Sequence, residues 1–203
     1  MINIPKIYTG FYKIQSDDYY GIIEFYENKS VYFDNKKTFN DYEDFICFSQ
    51  VAALYVISLE KKGRYRNTIE YVDKFISVFN EQFKNYEIIK NDFDAYWSIL
   101  TSQGRALYEM KEYKRATIVF KNLVDRDKKN DYLKNWLDAS KQGRRKSLNI
   151  YVNILAVLLF LVSIIIENKQ ISKSLLILGF SIFFISLVYE YLLDKFLHWI
   201  RKK

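Results

Sequence analysis

Cys47, in the stretch EDFICFSQVAAL, and His198, in KFLHWIRKK, are the only thiol and the only imidazole in this sequence. A nucleophilic cysteine needs a low thiol pKa and an electropositive, partly open setting. Cys47 stands among apolar neighbours, where a buried, inert thiol is expected. A single histidine supplies neither a metal site built from several imidazoles nor the base of a Ser/His/Asp triad within a folded domain. There is no glycine-rich phosphate loop and no paired Cys or His at metal-ligand spacing, and the acids are scattered at charge-balancing intervals. The inventory predicts a chain that is not an enzyme and uses no cofactor or metal.

The remaining polar groups of interest lie in or beside two oily runs. LNIYVNILAVLLFLVSIII, residues 148–166, has no charge over 19 residues, and as a helix it would measure roughly 28 Å, about the hydrocarbon thickness of a bilayer. After ENKQISK comes SLLILGFSIFFISLVYEYLL, residues 174–193, charged only at Glu190. The two runs predict a transmembrane helical hairpin, so the chain divides into a folded domain at 1–146 and a membrane part at 147–203. Asn153 inside the first run can hydrogen-bond to the neighbouring span or to another subunit, and Gly179, Ser181 and Ser186 permit close packing. Glu190, between two tyrosines, fits an interfacial anchor.

The charge distribution supports this division. Residues 1–140 hold 21 Lys/Arg and 21 Asp/Glu, so the net charge of +7 lies entirely in KQGRRKS and the segment after it. That pattern marks membrane flanks and argues against nucleic acid as a partner. Arg144, Arg145 and Lys146 precede the first run and Arg201, Lys202 and Lys203 follow the second, whereas the connecting loop has only Lys169 and Lys173. By the positive-inside bias, both ends are expected in the cytoplasm. The opening MINIPKIYTGFYKI has no charged region followed by an apolar run, so no signal peptide is expected to export the N-terminal domain. Basic groups beside a span gain about 1 kcal/mol each from an anionic leaflet.

The elements that would hold a binding surface are most legible in QGRALYEMKEYKRATIVFKNL, residues 103–123. Trp97, Leu100, Gly104 and Leu107 recur at helical spacing, and after a turn at MKEYK so do Ala116, Phe120 and Leu123. Small residues at Gly104 and Ala116 would let the two helices approach closely. This hairpin resembles a tetratricopeptide repeat, a unit of about 34 residues. The repeat's small, aromatic, small and aromatic places fall on Gly104, Tyr113, Ala116 and Phe120; Leu107 replaces the usual tyrosine and Lys128 the usual proline. Fainter echoes run through Gly63, Tyr65, Thr68, Val72 and Phe75, and through Gly10, Tyr19, Ile22 and Tyr26. The turn aromatics Tyr19, Tyr65 and Tyr113 are 46 and 48 residues apart. The expected fold is therefore all-α: a solenoid of three elongated hairpins, with a loop at 28–44, a link at 80–94 and a capping helix over 130–146 that leads into the membrane hairpin.

The resemblance also implies a ligand-facing surface. In this chain its positions are Ser98, Thr101, Arg105 and Tyr108, continued by Tyr132, Asn135 and Gln142, and by Gln50, Ala53, Ile57 and Glu60. Thr101 and Arg105 stand where some members of the family carry a lysine and an asparagine that clamp a C-terminal carboxylate. An arginine beside tyrosine and hydroxyls can grip a carboxylate or a peptide backbone. The expected function is a membrane-anchored module that recruits a protein or peptide partner to the cytoplasmic face of a bilayer. The competing readings are a sensor-effector whose spans form homo-oligomers and perturb the membrane, as in defence, and a membrane-bound immunity protein that holds a toxin.

Overall fold

One proline and six glycines leave little to interrupt helices. The computed structural model describes residues 5–201, with side chains as far as Tyr189 and at Leu192. Its eight α-helices are α1 (Tyr19–Glu27), α2 (Ser30–Asn35), α3 (Tyr42–Lys61), α4 (Tyr65–Asn85), α5 (Asp94–Glu109), α6 (Tyr113–Arg126), α7 (Asp131–Ile165) and α8 (Lys169–Arg201), with no strand among the described residues. The chain divides into two units, Met1–Lys141 and Gln142–Lys203.

The N-terminal unit is a globular helix bundle. Helix α3 packs against α1 and α4, α5 packs against both α3 and α4, and α6 packs against α5. Aromatic side chains from α1 to α5 fill the larger core: Tyr26 stacks on Tyr55 at 3.8 Å, and Phe45 on Phe93 at 5.4 Å. A smaller cluster joins Leu107, Ala116, Phe120 and Leu123 to Leu133 and Leu137 of the first turns of α7. Trp97 and Leu100 of α5 touch both clusters. Helix α3 is long and apolar enough to cross a membrane, but 67% of its apolar stretch is buried. That makes it the central core helix of this unit.

Three expectations need correction. The segment around Gly10 is not the first helix of a hairpin; it forms 3₁₀ turns at Lys6–Tyr8 and Phe11–Lys13. Tyr8, Phe11 and Ile14 recur every third residue, which suits the 3₁₀ repeat. Tyr8 and Phe11 are buried, and the Tyr8 hydroxyl donates to Asp44 at 2.8 Å. Asp44, 1% exposed, also accepts from Lys36 Nζ at 2.9 Å and from the Asn40 N–H at 3.1 Å. Nor is 28–44 simply a loop: it contains α2, which buries Phe33 against Tyr26. The 80–94 link is also shorter than expected, because α4 runs on to Asn85.

The three-residue turns after α3 and α5 have the same construction. Gly63 has φ of 72° and Lys111 of 63°. Beyond them the Arg64 N–H reaches back to the Leu59 carbonyl and the Glu112 N–H to the Leu107 carbonyl, both at 2.9 Å. This is a Schellman closure, in which a left-handed residue lets the chain reverse while satisfying carbonyls at the helix end. Tyr65 and Tyr113 then open α4 and α6.

Within the C-terminal unit, α8 runs antiparallel to the part of α7 that follows Gln142. Three rungs, spaced seven residues along each helix, are Asn149 with Ser186, Ala156 with Gly179, and Ser163 with Ser172. The Ser186 hydroxyl donates to Asn149 Oδ1, and the Ser172 hydroxyl donates to the Ser163 carbonyl at 2.6 Å. A methyl group on Gly179 would lie 3.1 Å from the Ala156 carbonyl, so the backbones meet there at close range. Ser181, grouped with these small residues on sequence grounds, is exposed instead. Only 11% of the apolar stretch of each helix is buried, the distribution of a pair whose outer surface meets hydrocarbon.

Two stability predictions follow from this packing. A non-glycine residue in the left-handed region costs about 1–2 kcal/mol, so Lys111→Gly should raise stability by about 0.5–1 kcal/mol after glycine's larger entropy loss, read as a higher denaturant midpoint. Gly104→Ala should do the opposite. Its new methyl would lie 2.8 Å from the Phe120 ring, itself stacked on Trp136, and the overpacking should lower stability by about 1–3 kcal/mol in the same measurement.

Candidate functional site: the face of α3, α5 and the start of α7

On α3, Gln50, Ala53, Ile57 and Glu60 follow one another at three-, seven- and ten-residue offsets. Ser98, Thr101, Arg105 and Tyr108 repeat those offsets on α5, which packs beside α3. The repeat follows from helical geometry: residues three and seven apart stay on one stripe. Together the two stripes form a face with two different ends.

At one end the face opens into a groove of about 350 Å³. Ala53, Leu54 and Ile57 of α3 and Ala95 and Ser98 of α5 supply one side. Phe11, Tyr12, Ile14 and Ile22, from the 3₁₀ segment and α1, supply the other. The Tyr12 hydroxyl donates to Gln50 Oε1 at 2.7 Å and ties the N-terminal segment to α3. The lining is mostly apolar with a few polar points at the rim, Asp94 among them, which is the composition of a site that anchors apolar side chains.

At the other end the face is closed by its own side chains. Arg105 Nη2 donates to Glu60 Oε2 at 2.5 Å and Nη1 donates to the Tyr132 hydroxyl at 2.8 Å. The side chains of Arg105 and Glu60 are only 14% and 10% exposed. Burial raises the Glu60 carboxyl pKa above its usual range, against the lowering effect of Arg105. Arg105 Nε is enclosed without an acceptor. The carboxylate held by Arg105 thus belongs to this chain.

The other residues implied by the resemblance are dispersed around these two ends. Ser98 lines the groove and is half-buried. The Thr101 hydroxyl donates to the Trp97 carbonyl at 2.9 Å, within its own helix. Tyr108 packs edge-on against Trp136 and Tyr113. Tyr132 and Asn135 are exposed on α7.

Of the membrane-flanking residues, Arg144 and Lys146 are exposed and Arg145 is half-buried on α7. Arg201 ends α8, while its side chain, Lys202, Lys203 and the side chains of Glu190 and His198 lie outside the described residues. Cys47 is buried at 2% exposure. Among the described residues no three His, Cys, Asp or Glu side chains converge on a metal-sized site.

Sequence reasoning missed the second wall of the groove and the role of Glu60 as Arg105's partner. Tyr12 and Gln50 lie 38 residues apart, and Glu60 and Arg105 lie 45 apart, so no local spacing announces either pair. Asn149 was also missed, although its seven-residue spacing to Ala156 and Ser163 mirrors that of Ser172, Gly179 and Ser186. No protein-family model, curated protein or solved structure matches the chain.

The buried pair makes a distinct energetic prediction. Arg105→Met alone leaves Glu60 enclosed without its partner and should cost about 3–5 kcal/mol, whereas Arg105→Met combined with Glu60→Leu should return close to wild-type stability. Urea denaturation followed by tryptophan fluorescence checks both.

Proposed function

We propose that this chain is a membrane-anchored interaction module: a tetratricopeptide-like helical domain that holds a protein or peptide partner at the cytoplasmic face of a bilayer, with two spans as its anchor. The observation that carries this reading is the apolar groove between the 3₁₀ segment, α1, α3 and α5, a hollow on a helix face. The paired Schellman turns before Tyr65 and Tyr113 support the repeat-like reading, as does the packing of α5 against both helices of the preceding pair. The small-residue seam between α7 and α8 and their uncovered apolar surface support the anchor. The cytoplasmic placement of both ends rests on the basic residues at 144–146 and 201–203. Those same residues would draw the module toward anionic headgroups.

The mechanism needs no bond-making step. Tethering confines the domain to a thin layer beside the membrane and raises its effective concentration toward anything else held there. Affinity would come from removing apolar side chains of the partner from water, at about 25 cal/mol per Å². The closed Arg105–Glu60 end would shape the groove while taking no part in the grip.

Crosslinked pull-down from native membranes, comparing the wild type with Ile57→Lys combined with Ser98→Arg, tests the reading. A desolvated charge in the groove should reduce recovery of a specific partner by about tenfold or more, the equivalent of at least about 1.4 kcal/mol, while membrane retention and the thermal midpoint stay unchanged. Equal recovery by both forms, or full recovery by residues 142–203 alone, would overturn it.

A further inference from the structure

Asn153 lies within the uncharged run of α7, one turn beyond Asn149. Asn149 accepts a hydrogen bond from Ser186 on α8, but Asn153 Oδ1 is sealed from solvent and has no partner. In water this would be a modest defect; in hydrocarbon no solvent molecule can supply the missing bond. Polar groups at such depth normally face protein. Asn153 shares a single helical stripe with Ile150, Ile154, Val157 and Leu158, and these five residues line a depression of about 330 Å³ on α7. The other four are exposed and apolar, so Asn153 is the only polar group of the stripe.

We propose that this stripe is the contact between two copies of the chain, with the Asn153 amides paired across a two-fold axis along the bilayer normal. The inference rests on reading α7 as a span. Copies inserted in the same sense place each residue at the same depth, so a parallel contact sets Asn153 opposite its own counterpart. A primary amide carries both N–H donors and a carbonyl acceptor and is therefore complementary to itself. When the side chain turns from that enclosed position onto the stripe, two reciprocal Nδ2–H to Oδ1 bonds satisfy both oxygens, and the β-branched Ile150, Ile154 and Val157 flank them with stiff side chains. Lipid tails can cover the apolar part of the stripe but donate no hydrogen bond. A different membrane protein would need a polar group at a matching depth, whereas a second copy always has one.

Energy transfer between donor- and acceptor-tagged full-length chains, in vesicles at a series of protein densities, tests the proposal. Wild type should associate, Asn153→Leu should need about 3- to 20-fold higher density to do so, the range for one such bond in a bilayer, and Asn153→Gln should retain most of the association. In a Cys47→Ala background, Ile154→Cys should form a disulfide-linked dimer while Phe184→Cys, exposed on α8, should not. Equal association of wild type and Asn153→Leu, or crosslinking through position 184 in preference to 154, would overturn the contact. Chains that float with vesicles yet show no transfer at any density would also overturn it. Chains that fail to float would overturn the reading of α7 as a span, and the contact with it.

Discussion

The N-terminal unit depends on one shared element. Helix α5 supplies buried residues to both apolar clusters, Tyr96 and Ile99 to the aromatic core and Leu107 to the Phe120 cluster, and its Trp97 and Leu100 touch both. Its seating against α6 requires Gly104 to face the Phe120 ring without a methyl between them. Once α5 is seated, its polar stripe necessarily lies beside that of α3, and the groove and the Arg105–Glu60 pair are both consequences. The face is thus set by packing of the opposite, apolar stripe, which loses close contacts with even a small displacement.

The C-terminal unit answers a different solvent. Its two helices bury little of their apolar surface, so the hydrophobic effect in water cannot be what holds them together. What remains is close packing and hydrogen bonding, and the rungs supply both: Gly179 against the Ala156 carbonyl for approach, Ser186 to Asn149 and Ser172 to Ser163 for polar contacts. The seven-residue spacing keeps those small residues on one seam along both helices, as a heptad repeat does.

These two units differ in how much of them is legible in the sequence. The membrane hairpin shows itself through uncharged length, a property that needs no knowledge of partners. The α5–α6 hairpin is legible because its apolar residues recur at the helical period and its turn is bracketed by Tyr108 and Tyr113. The N-terminal segment misleads because Gly10 and Tyr19 reproduce the spacing of Gly104 and Tyr113. Tyr8, Phe11 and Ile14, three residues apart, carry the information that actually decides its form. Contacts such as Tyr8 to Asp44, Tyr12 to Gln50 and Arg105 to Glu60 span 36, 38 and 45 residues. Each is fixed by helix packing, so no pattern within either partner's own stretch could name it.

The internal ion pair also changes how the arginine on this face should be understood. An exposed Arg105 would be a ready carboxylate ligand, and its place in the repeat-like register makes that reading attractive. Yet a buried guanidinium without a counter-charge is costly, and α5 is seated too deeply to leave Arg105 in water. Glu60, at the last turn of the neighbouring helix, offsets that cost and is itself raised in pKa by burial. The Tyr132 hydroxyl takes a further donor and ties the start of α7 into the same cluster. A ligand would have to expel Glu60 from its own enclosed pairing to reach the guanidinium, losing about as much as it gained. The open end of the face has no such competitor: its apolar lining is covered by nothing among the described residues of the unit, and burial there is net favourable for a partner that brings apolar side chains. This physical asymmetry between the two ends is why the proposed binding falls to the groove beside Ile57 and Ser98 and not to Arg105.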